Sequence, residues 1–447
     1  MITITNIVEE IRKRKGFQTV FANTSWVLFE RIIQLGIGLL VNILVARYLG
    51  PEKYGILSYA FSLIAFLGTF AYLGLSGLVV RDIVRFPDEK NMLLGTTFSL
   101  KFAGSFFAFL MAIGLALFTH DIGGNEFWIL LIIGLSLFAR PFQTIDFWFQ
   151  SQIQSKYTVL ANLTAYVFGA ALKTLLVFLS ASVIAFACAS SLQVILASIL
   201  LIIIYRYKGF SIFQWQFQIS KAKDLLSQSW IIILSGFLAL VNEKVDQIML
   251  RWMSGAADVG IYSVAVTFSE VWYFIPTTIA MSVFPKLIDL KKSQASIYNK
   301  RLQQVCDVLF TLAFLVALAM SFVAGPLIPF LYTDAYSGAS AILIIHVWAG
   351  IFIFMRALFS KWILIEDALI FSLISHGAGA AVNVFLNLVL IPRYGGQGAA
   401  FATLFSYAAA SYFALFFSLK TKPLALIMSK SLVLPLRLII YRGKTWA

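Results

Sequence analysis

The sequence predicts an all-α polytopic membrane protein, and its composition and its long apolar windows are the observations that predict this. Of the 447 residues, 60% are hydrophobic and only 12% are charged. Soluble domains are roughly 45–50% apolar and about 25% charged, because a soluble fold needs a polar surface. The same composition excludes a disordered chain, and two cysteines are too few for a disulfide scaffold.

Twelve apolar windows are long enough to cross a membrane, since a spanning helix needs about 20 mostly apolar residues. We predict helices because each span must close its own backbone hydrogen bonds, and none of the windows alternates in polarity as a barrel strand does. The windows cover residues 23–46, 55–79, 95–118, 126–148, 159–180, 183–205, 228–252, 260–284, 302–324, 339–363, 367–391 and 397–419.

Basic residues concentrate in alternate loops, and this bias predicts the orientation. The poorer set of loops holds Arg47, Lys53, Arg251 and Arg393, whereas the richer set holds both chain ends and most other Lys and Arg residues. The positive-inside rule then places both termini in the cytoplasm. We interpret the net charge of +14 as attraction of the basic cytoplasmic loops to anionic lipid. We expect no nucleic-acid partner.

The windows and loops divide the chain into five parts. We expect residues 1–22 to form a basic cytoplasmic N-terminus, 23–206 a first six-helix bundle, 207–227 a cytoplasmic linker and 228–419 a second six-helix bundle. Residues 420–447 carry Lys and Arg among Leu and Ile, which is typical of a helix lying on the membrane surface.

The two halves of the sequence show an internal repeat. An even number of helices in each half makes this a parallel repeat, related by an axis along the membrane normal. Later helices align less well, and chance similarity between Leu-rich helices is the alternative interpretation. The matched residues are Ser25-Trp26 with Ser229-Trp230, Arg47 with Arg251, and Gly55 with Gly260.

Charged residues inside the windows are candidate functional residues, because charge in a bilayer is costly and is retained for a reason. We expect them to face a wet cavity between the halves. The alternative is that neighbouring charges form ion pairs that only hold helices together. The candidate substrate-binding cations are Arg31, Arg140, Lys173, Lys244 and Arg356, and the candidate cavity acids or ion-coupling residues are Glu30, Glu243 and Asp246.

Helix breakers occur at matching places in the two halves. Pro276 lies in the middle of the eighth window, and Gly74 and Gly77 lie in the second. Interrupted helices in corresponding positions are typical of the moving or binding elements of transporters. We predict a hinge or kink at these residues, with a static kink as the alternative.

The sequence carries no pattern typical of an enzyme. The three histidines, His120, His346 and His376, lack the spacing of metal ligands. Cys188 and Cys306 lie in apolar helices, and there is no Gly-rich phosphate-binding loop. We therefore expect no catalytic residue, metal or cofactor, and any transport would run on an H⁺ or Na⁺ gradient or on substrate flux.

Several short motifs, spread over residues 20–420, resemble the Wzx-type polysaccharide-biosynthesis flippases of lipid-linked oligosaccharides. Their order and spacing are more specific than any one motif. Residues 151–155 depart from the family pattern, in which a Gly and a Glu-Lys pair are expected. The matching segments are Asn23–Trp26, Ala46–Gly55, Asp146–Gln150, Asp246–Leu250, Gly260–Ser263, Phe284–Leu287, Asn387, Ile391–Gly395 and Gly398–Ala400.

The resemblance implies a superfamily that also contains multidrug exporters of the MATE type. It implies two six-helix bundles around a central cavity that work by alternating access. The implied substrate is undecaprenyl-pyrophosphate carrying an oligosaccharide, such as the repeat unit of an O-antigen or another lipopolysaccharide or surface polysaccharide. The implied location is the bacterial inner membrane, with lipids, a polysaccharide polymerase and a chain-length regulator as partners. Cations inside the spans suit a pyrophosphate, which Arg binds in a bidentate manner.

Two other functions remain open at this point. A cation-coupled multidrug exporter of the MATE type is the first, but it favours an acidic cavity, whereas the candidate residues include five cations and three acids. A membrane polymerase or ligase of the glycan is the second. Such an enzyme is expected to carry a large outer loop with acidic or histidine groups, and the outer loops here are short.

Overall fold

The structure, a computed structural model, describes residues 4–119, 123–293, 295–434 and 437. These residues form α-helices joined by short turns and 3₁₀ helices, and no strand occurs among them. Ten stretches of the described chain are long and apolar enough to cross a membrane. The chain is thus an all-α, multi-pass membrane protein, as its composition predicts.

The first half contains eight α-helices within the described residues. A 3₁₀ segment at 136–143 divides the fourth predicted window, and Arg140 lies in it next to Pro141. The helices are α1 (Ile4–Leu67), α2 (Thr69–Tyr72), α3 (Ser76–Arg85), α4 (Lys90–Thr119), α5 (Asn125–Leu135), α6 (Thr144–Ser151), α7 (Lys156–Phe178) and α8 (Val183–Tyr207).

The second half contains eight more α-helices within the described residues. The tenth predicted window is divided at residues 347–348, as the fourth is at 136–143. The helices are α9 (Ile219–Met253), α10 (Ala256–Glu270), α11 (Phe274–Ser293), α12 (Ala295–Leu331), α13 (Ala339–His346), α14 (Ala349–Ile365), α15 (Leu369–Ser411) and α16 (Lys422–Leu432).

The chain folds into two compact units. The first comprises the residues up to Tyr48 together with Leu63–Ile233, and the second comprises Leu49–Ser62 together with the residues from Leu234 on. The middle of α1 therefore belongs to the second unit, although its sequence lies in the first half. The division of the chain into residues 23–206 and 228–419 as functional bundles stays a prediction.

Two of the ten apolar stretches are long enough for two crossings each. Ala22–Leu67 has 46 residues and Leu369–Phe417 has 49, whereas one crossing takes about 20. Each contains a glycine with non-helical dihedral angles, Gly50 (φ 73°) in α1 and Gly395 (φ 52°) in α15. Breaks at these glycines account for the difference between ten stretches and twelve predicted helices, and the number of crossings itself stays a prediction.

A pair of matching turns supports the internal repeat. Gly50 (φ 73°, ψ 169°) and Gly255 (φ 98°, ψ 175°) have nearly the same backbone conformation, and each directly precedes a helical segment, at Pro51 and at Ala256. A left-handed φ with extended ψ is a conformation that glycine adopts and other residues avoid. The offset between the two glycines equals that between Gly55 and Gly260, so the two turns begin equivalent helices.

The second predicted window is interrupted near Gly74. Helix α1 ends at Leu67, α2 is a single turn, and Leu73 and Gly74 both have left-handed φ values before α3 begins at Ser76. Gly77 lies inside α3, where the helix is regular. The break at Gly74 is where the sequence predicts one, whereas no break occurs at Gly77.

The eighth predicted window is interrupted as well, but Pro276 does not lie in the middle of a helix. Helix α10 ends at Glu270, a 3₁₀ turn covers residues 271–273, and Pro276 lies in the first turn of α11. Proline lacks an N–H and cannot donate to the carbonyl of Trp272, four residues earlier. Helix α10 therefore ends before the proline, and a new helix, α11, begins at Phe274 with the proline in its first turn.

The C-terminal segment packs into the second unit as far as it is described. Leu424, Ala425 and Met428 of α16 have no exposed surface and join the core cluster formed by α12 and α14. The side chain of Ser431 donates to Asp307 at 2.7 Å, and Arg437 pairs with the same carboxylate at 3.0 Å. The expectation of an interfacial tail concerns residues 420–447, of which 435–436 and 438–447 lie outside the described residues.

Candidate functional site

A buried polar cluster in the second unit is centred on Asp246 of α9, whose side chain is almost fully enclosed. Its Oδ1 accepts a hydrogen bond from Asn387 Nδ2 at 2.6 Å. Its Oδ2 accepts hydrogen bonds from the Tyr262 hydroxyl at 2.8 Å and from the Thr403 hydroxyl. The carboxylate is thus held by three neutral donors, and no salt bridge to it is found among the described residues.

Two asparagines of α15 complete this Asp246 cluster. Asn383 and Asn387 are four residues apart, so they lie on the same face of the helix, and both are fully buried. Asn387 Nδ2 donates to Asn383 Oδ1 at 3.0 Å, and Asn383 Nδ2 lies 3.4 Å from Ser406 Oγ. Buried polar groups need hydrogen-bond partners. A shift of α9, α10 or α15 along its axis would break the bonds to Asp246, so the cluster fixes the register of these helices.

Two amide oxygens in this region have no hydrogen-bond partner among the described residues: Asn387 Oδ1 and Asn242 Oδ1. Asn242 lies one turn before Asp246 and donates to the carbonyl of His376 at 3.1 Å. An unsatisfied buried acceptor costs free energy. The Asp246 cluster therefore offers oxygen atoms to a proton or a small hard cation, which prefers carboxylate, amide and hydroxyl oxygens.

A second polar chain runs beside the Asp246 cluster. The Ser62 hydroxyl donates to Gln247 Oε1, and Gln247 Nε2 donates to the Ser263 hydroxyl at 2.9 Å. Ser62 and Gln247 are both buried and belong to the same unit. These bonds tie the middle of α1 to α9 and α10 in the layer of Asp246.

Lys244 and Glu243 form an ion pair at the border of this region. Lys244 Nζ lies 3.1 Å from Glu243 Oε1, and the Glu243 side chain is about half exposed. Asp246 and Glu270 also act electrostatically on Lys244. The arrangement agrees with the ion-pair interpretation of this lysine, and a role in substrate binding stays a prediction.

Arg356 of α14 is engaged by its own unit. Its Nη1 donates to the Ala410 carbonyl at 2.9 Å and its Nη2 lies 3.2 Å from Ser375 Oγ. The guanidinium also lies over the Phe359 ring at 5.3 Å. Arg356 thus holds the C-terminal turn of α15 to α14, so loss of the side chain would disturb packing as well as charge.

Lys173 of α7 is a sequence-predicted cation of the first unit that is partly buried. Its Nζ lies 3.4 Å from Gln193 Oε1 of α8, and no carboxylate is paired with it among the described residues. Gln193 in turn packs directly on Gly169, one turn before Lys173. The lysine therefore lies beside Gln193 of α8, with one long hydrogen bond among the described residues.

A second group of charges in the first unit brings the predicted Arg140 together with Lys101 and Asp146, which were not among the candidate residues. Lys101 of α4 is 2% exposed, and its ammonium lies over the rings of Phe147 (5.1 Å) and Tyr72 (5.8 Å). Arg140 also lies over the Tyr72 ring at 5.8 Å, and Asp146 is the nearby acid that attracts Lys101. Lys101 and Arg140 thus place two cations around one aromatic side chain.

The remaining predicted residues lie at the surface of α1. Arg31 is exposed, and Glu30 is partly buried and accepts a hydrogen bond from Gln34 Nε2 at 3.0 Å. The structure does not bring these two together with Lys173 in one set of contacts. Their placement in a cavity stays a prediction.

No group of three or more His, Cys, Asp or Glu side chains suited to a metal ion occurs in the described part of the chain. His346 bonds to Ser269 at 2.9 Å through its Nδ1, and His120 lies outside the described residues. Cys306 is buried and Cys188 is exposed on α8.

The residues missed by the sequence had signals that could have revealed them. Lys101 is a charge in the apolar window 95–118, so the rule that selected Lys173 applies to it equally. Asn383 and Asn387 form a polar pair at helical spacing inside the window 367–391. Their contact with Asp246 depends on tertiary packing over more than 130 residues, which spacing alone does not give.

Comparison with known proteins adds evidence on the fold. The structure resembles that of the lipid II flippase MurJ in an inward closed conformation, with 17% identity, a TM-score of 0.70, and coverage of 95% of this chain and 94% of the other. It also resembles an inward-facing multidrug resistance MATE family transporter of the MOP superfamily (13% identity, TM-score 0.66, coverage 89% and 96%). A MOP superfamily transporter from Pyrococcus furiosus is a further match (14% identity, TM-score 0.59, coverage 91% and 96%).

Sequence comparison identifies the family. No curated protein sequence gives a significant match. A family model described as polysaccharide biosynthesis protein matches residues 20–291, which is more than half of the chain. This range includes the Gly50 and Gly255 turns, Lys101, Lys173 and Asp246. The chain therefore belongs to the polysaccharide biosynthesis protein family, and it has the transporter fold shared by MurJ and the MATE proteins.

Proposed function

We propose that this protein is a flippase that moves an undecaprenyl-pyrophosphate-linked oligosaccharide from the cytoplasmic to the periplasmic leaflet by alternating access. The observation that carries the proposal is the family match over residues 20–291 together with the likeness to a lipid II flippase. The oligosaccharide is a repeat unit of an O-antigen or of another surface polysaccharide. The protein works without catalytic residues of its own, because flipping changes no covalent bond.

Two cations of the first unit, the buried Lys101 and the partly buried Lys173, support an anionic substrate. Lys173 has one weak hydrogen bond, to Gln193, and Lys101 has aromatic rings rather than carboxylate oxygens as its close contacts. Lys101 is buried with Asp146 as its nearby acid, whereas Lys173 is partly buried and pairs with no carboxylate among the described residues. Holding an ammonium group away from water is costly. A pyrophosphate that reaches these side chains would offset that cost, which a cationic drug would not.

The Asp246 cluster is the proposed site of ion coupling. It contains one carboxylate, neutral donors and two unpaired amide oxygens. A proton on Asp246, or a Na⁺ among the oxygens, would neutralise the buried charge and change the bonds that join α9 to α15. Since residues 234–253 of α9 and all of α15 belong to the second unit, the ion would control the packing inside that unit and, through it, the transport cycle.

An exporter of cationic drugs is the second candidate, because a MATE family transporter shares the fold. Asp246 and Glu243 would then bind the cargo. The Asp246 carboxylate, however, is enclosed by Asn387, Tyr262 and Thr403, and Glu243 is paired with Lys244. Neither acid is free to bind a large organic cation, so the flippase is favoured.

Location and partners follow from the proposed function. The protein would lie in the bacterial inner membrane with both termini in the cytoplasm. A polysaccharide polymerase and a chain-length regulator would receive its product on the periplasmic side.

The proposed function is tested with the full chain in proteoliposomes. Radiolabelled undecaprenyl-pyrophosphate oligosaccharide is placed in both leaflets, and the fraction accessible to an added membrane-impermeant glycosidase is followed with time. A flippase makes all of the label accessible, whereas empty vesicles protect about half of it. Efflux of a cationic dye from the same vesicles, with no movement of the oligosaccharide, would instead establish the exporter.

A further inference from the structure

The segment that follows α8 is held tightly against the first turns of α4. Gln216 donates its backbone N–H to the Asn91 carbonyl at 3.1 Å, and the Gln218 N–H donates to the Thr96 hydroxyl at 3.1 Å. A Cβ atom at Gly95 would lie 2.8 Å from the carbonyl carbon of Gln216. Glycine at position 95 therefore lets the segment cross the helix in direct backbone contact.

This crossing encloses an aromatic cavity, which we define by Phe98, Phe142, Phe213, Trp215 and Phe217. Its volume is about 250 Å³. The Phe98 ring lies 5.0 Å from the Phe142 ring and 5.5 Å from the Trp215 ring. Phe213 is 91% exposed, so the mouth of the aromatic cavity is open. All of its residues belong to the first unit.

The volume fits a short piece of a chain. At roughly 30 Å³ for each heavy atom, the value for liquid water, the aromatic cavity holds about eight heavy atoms, which is between one and two isoprene units. Pockets for whole small molecules are larger, about 300–1,000 Å³. The aromatic rings offer an apolar surface to such a chain but leave little room for a sugar.

Lys90 lies on two rings, Phe210 and Trp148, that pack against the same core cluster as Trp215 of the aromatic cavity. The Lys90 ammonium lies 4.4 Å from the centre of the Phe210 ring and 4.8 Å from that of Trp148, and Lys90 directly precedes Asn91, which holds Gln216. Lys221 lies three residues beyond Gln218 and pairs with Glu89 at 2.9 Å. Arg206, Lys208 and Lys223 add further positive charge to residues 206–224, which contain one acid, Asp224, whereas Asp88 and Glu89 precede Lys90. An apolar cavity with a cation on the neighbouring rings is complementary to a chain that carries its anionic group at one end.

We propose that the aromatic cavity binds the isoprene units next to the phosphate of a polyprenyl phosphate lipid, while Lys90 binds the phosphate. The inference rests on the proposed function, and it adds a docking site for the lipid part of the substrate before transport. In a polyprenyl phosphate, a single chain is joined directly to the phosphate. The chain can therefore enter the narrow cavity while the phosphate stays outside it, near Lys90. A diacyl phospholipid has two chains and a glycerol between them and the phosphate, so the cavity cannot accept it in the same way.

The test uses the purified full chain in nanodiscs and a geranylgeranyl phosphate that carries a photoreactive diazirine on its first isoprene unit. After irradiation, mass spectrometry maps the label. We expect labelled peptides from residues 208–218 and from the first turns of α4. An excess of unlabelled geranylgeranyl phosphate should abolish the label, and dipalmitoyl phosphatidate at the same concentration should leave it in place.

Three variants separate a specific site from general contact with lipid. Ser99 is partly buried and lies in the wall of the aromatic cavity, so Ser99→Leu fills the space without disturbing a buried polar bond, and labelling should fall by about tenfold. Lys90→Gln should weaken labelling by the phosphate probe but not by the matching uncharged polyprenol. Tyr207→Ala removes an exposed aromatic residue of the same region outside the cavity and should change nothing.

Several results would overturn this inference. These are equal competition by phosphatidate, unchanged labelling of Ser99→Leu, or label that maps mainly to other helices. Failure of the inference is separable from failure of the proposed function. A wild-type protein that flips the oligosaccharide but does not label at the cavity refutes the docking site alone. A protein that labels at the cavity but moves no oligosaccharide refutes the flippase and keeps the docking site.

Discussion

Gly55 and Gly260 occupy equivalent positions in the two halves of the sequence, and each packs on the helix that carries the other. A Cβ atom at Gly55 would lie 2.8 Å from the carbonyl carbon of Ala256, and one at Gly260 would lie 2.9 Å from that of Pro51. Pro51 and Ala256 are themselves equivalent, so the contact is reciprocal. Reciprocal contacts of this kind are the property of a two-fold axis, which passes locally between these two helical segments.

The first prediction concerns this glycine contact. Gly55→Ala or Gly260→Ala should each lower the stability of the protein in detergent by about 1–3 kcal/mol, the usual cost of overpacking. The backbone carbonyl that meets the new methyl group cannot rotate away as a side chain would. The midpoint of thermal unfolding measures the effect. Gly36→Ala is the matched control in α1, because nothing lies within 4 Å of its Cβ position, and a similar loss in that variant would disprove the prediction.

The second prediction concerns Asp246. Asp246→Asn keeps the size of the side chain but removes its charge, so ion-driven transport should fall by about five-fold to 150-fold, the usual range of coupling between two sites. Transport by the wild type should rise with an imposed H⁺ or Na⁺ gradient, and transport by the variant should not. The exposed Asp334→Asn serves as the control. A variant that still responds fully to the gradient would remove Asp246 from the coupling site.

The third prediction concerns Lys173. Lys173→Gln should lower oligosaccharide flipping by about tenfold or more, since a hydrogen bond to a charged group contributes about 1.5–3 kcal/mol. Lys173→Arg should retain part of the activity because it keeps the cation. The exposed Lys53→Gln is the control, and membrane content is measured by immunoblot. Normal flipping by Lys173→Gln at normal protein levels would exclude the lysine from substrate binding.

The fourth prediction separates the two interpretations of Lys244. If Lys244 only neutralises Glu243, then the double variant Lys244→Gln with Glu243→Gln should flip normally, although Lys244→Gln alone is impaired. If Lys244 binds the pyrophosphate, then the double variant should be as impaired as Lys244→Gln. From the 3.1 Å ion pair and its partial exposure, we expect the first outcome, with a coupling of about 0.2–1 kcal/mol in stability.

The fifth prediction concerns orientation. Residues 212–226 and 287–300 should be cytoplasmic, and residues 119–125 should lie outside, because of the bias of basic residues among the loops. Single cysteines at the exposed positions Phe213, Lys292 and Asn125 are labelled in intact cells with an impermeant maleimide, in a Cys188→Ala background with Cys306 buried. Label on Phe213→Cys or Lys292→Cys from the outside would overturn the orientation.

Much of the fold could be predicted from the sequence because apolar length decides which segments enter a bilayer. The repeat could be predicted as well, since Gly55 and Gly260 lie at equal distances from their turns. The middle of α1 could not be assigned to the second unit, because that depends on contacts such as Ser62 with Gln247, which are 185 residues apart. Pro276 was expected in mid-helix, but the missing N–H moves the break to residues 271–273.

The candidate site was predictable only in part. Asp246 and Lys173 stand out as charges in apolar windows, and the structure buries Asp246 and partly buries Lys173. The partners of Asp246 are neutral side chains on α10 and α15. A charged residue in an apolar window is conspicuous because burying a charge is costly, whereas a neutral polar residue is not. The bond from Arg356 to the Ala410 carbonyl was not predictable, because no sequence pattern marks a carbonyl as a partner. The expected role of Arg356 in substrate binding stays a prediction.

The assignment of Leu49–Ser62 to the second unit has a consequence for biosynthesis. This segment leaves the ribosome early, yet Tyr59 and Ser62 bond to Trp252 and Gln247, which are 193 and 185 residues away. At about 5–20 residues per second of synthesis, these partners follow about 10–40 s later. During that time the segment lacks the contacts to Trp252 and Gln247 that hold it in the folded protein. Mutations that weaken this late contact should therefore lower the yield of inserted protein before they change the activity of the molecules that do mature.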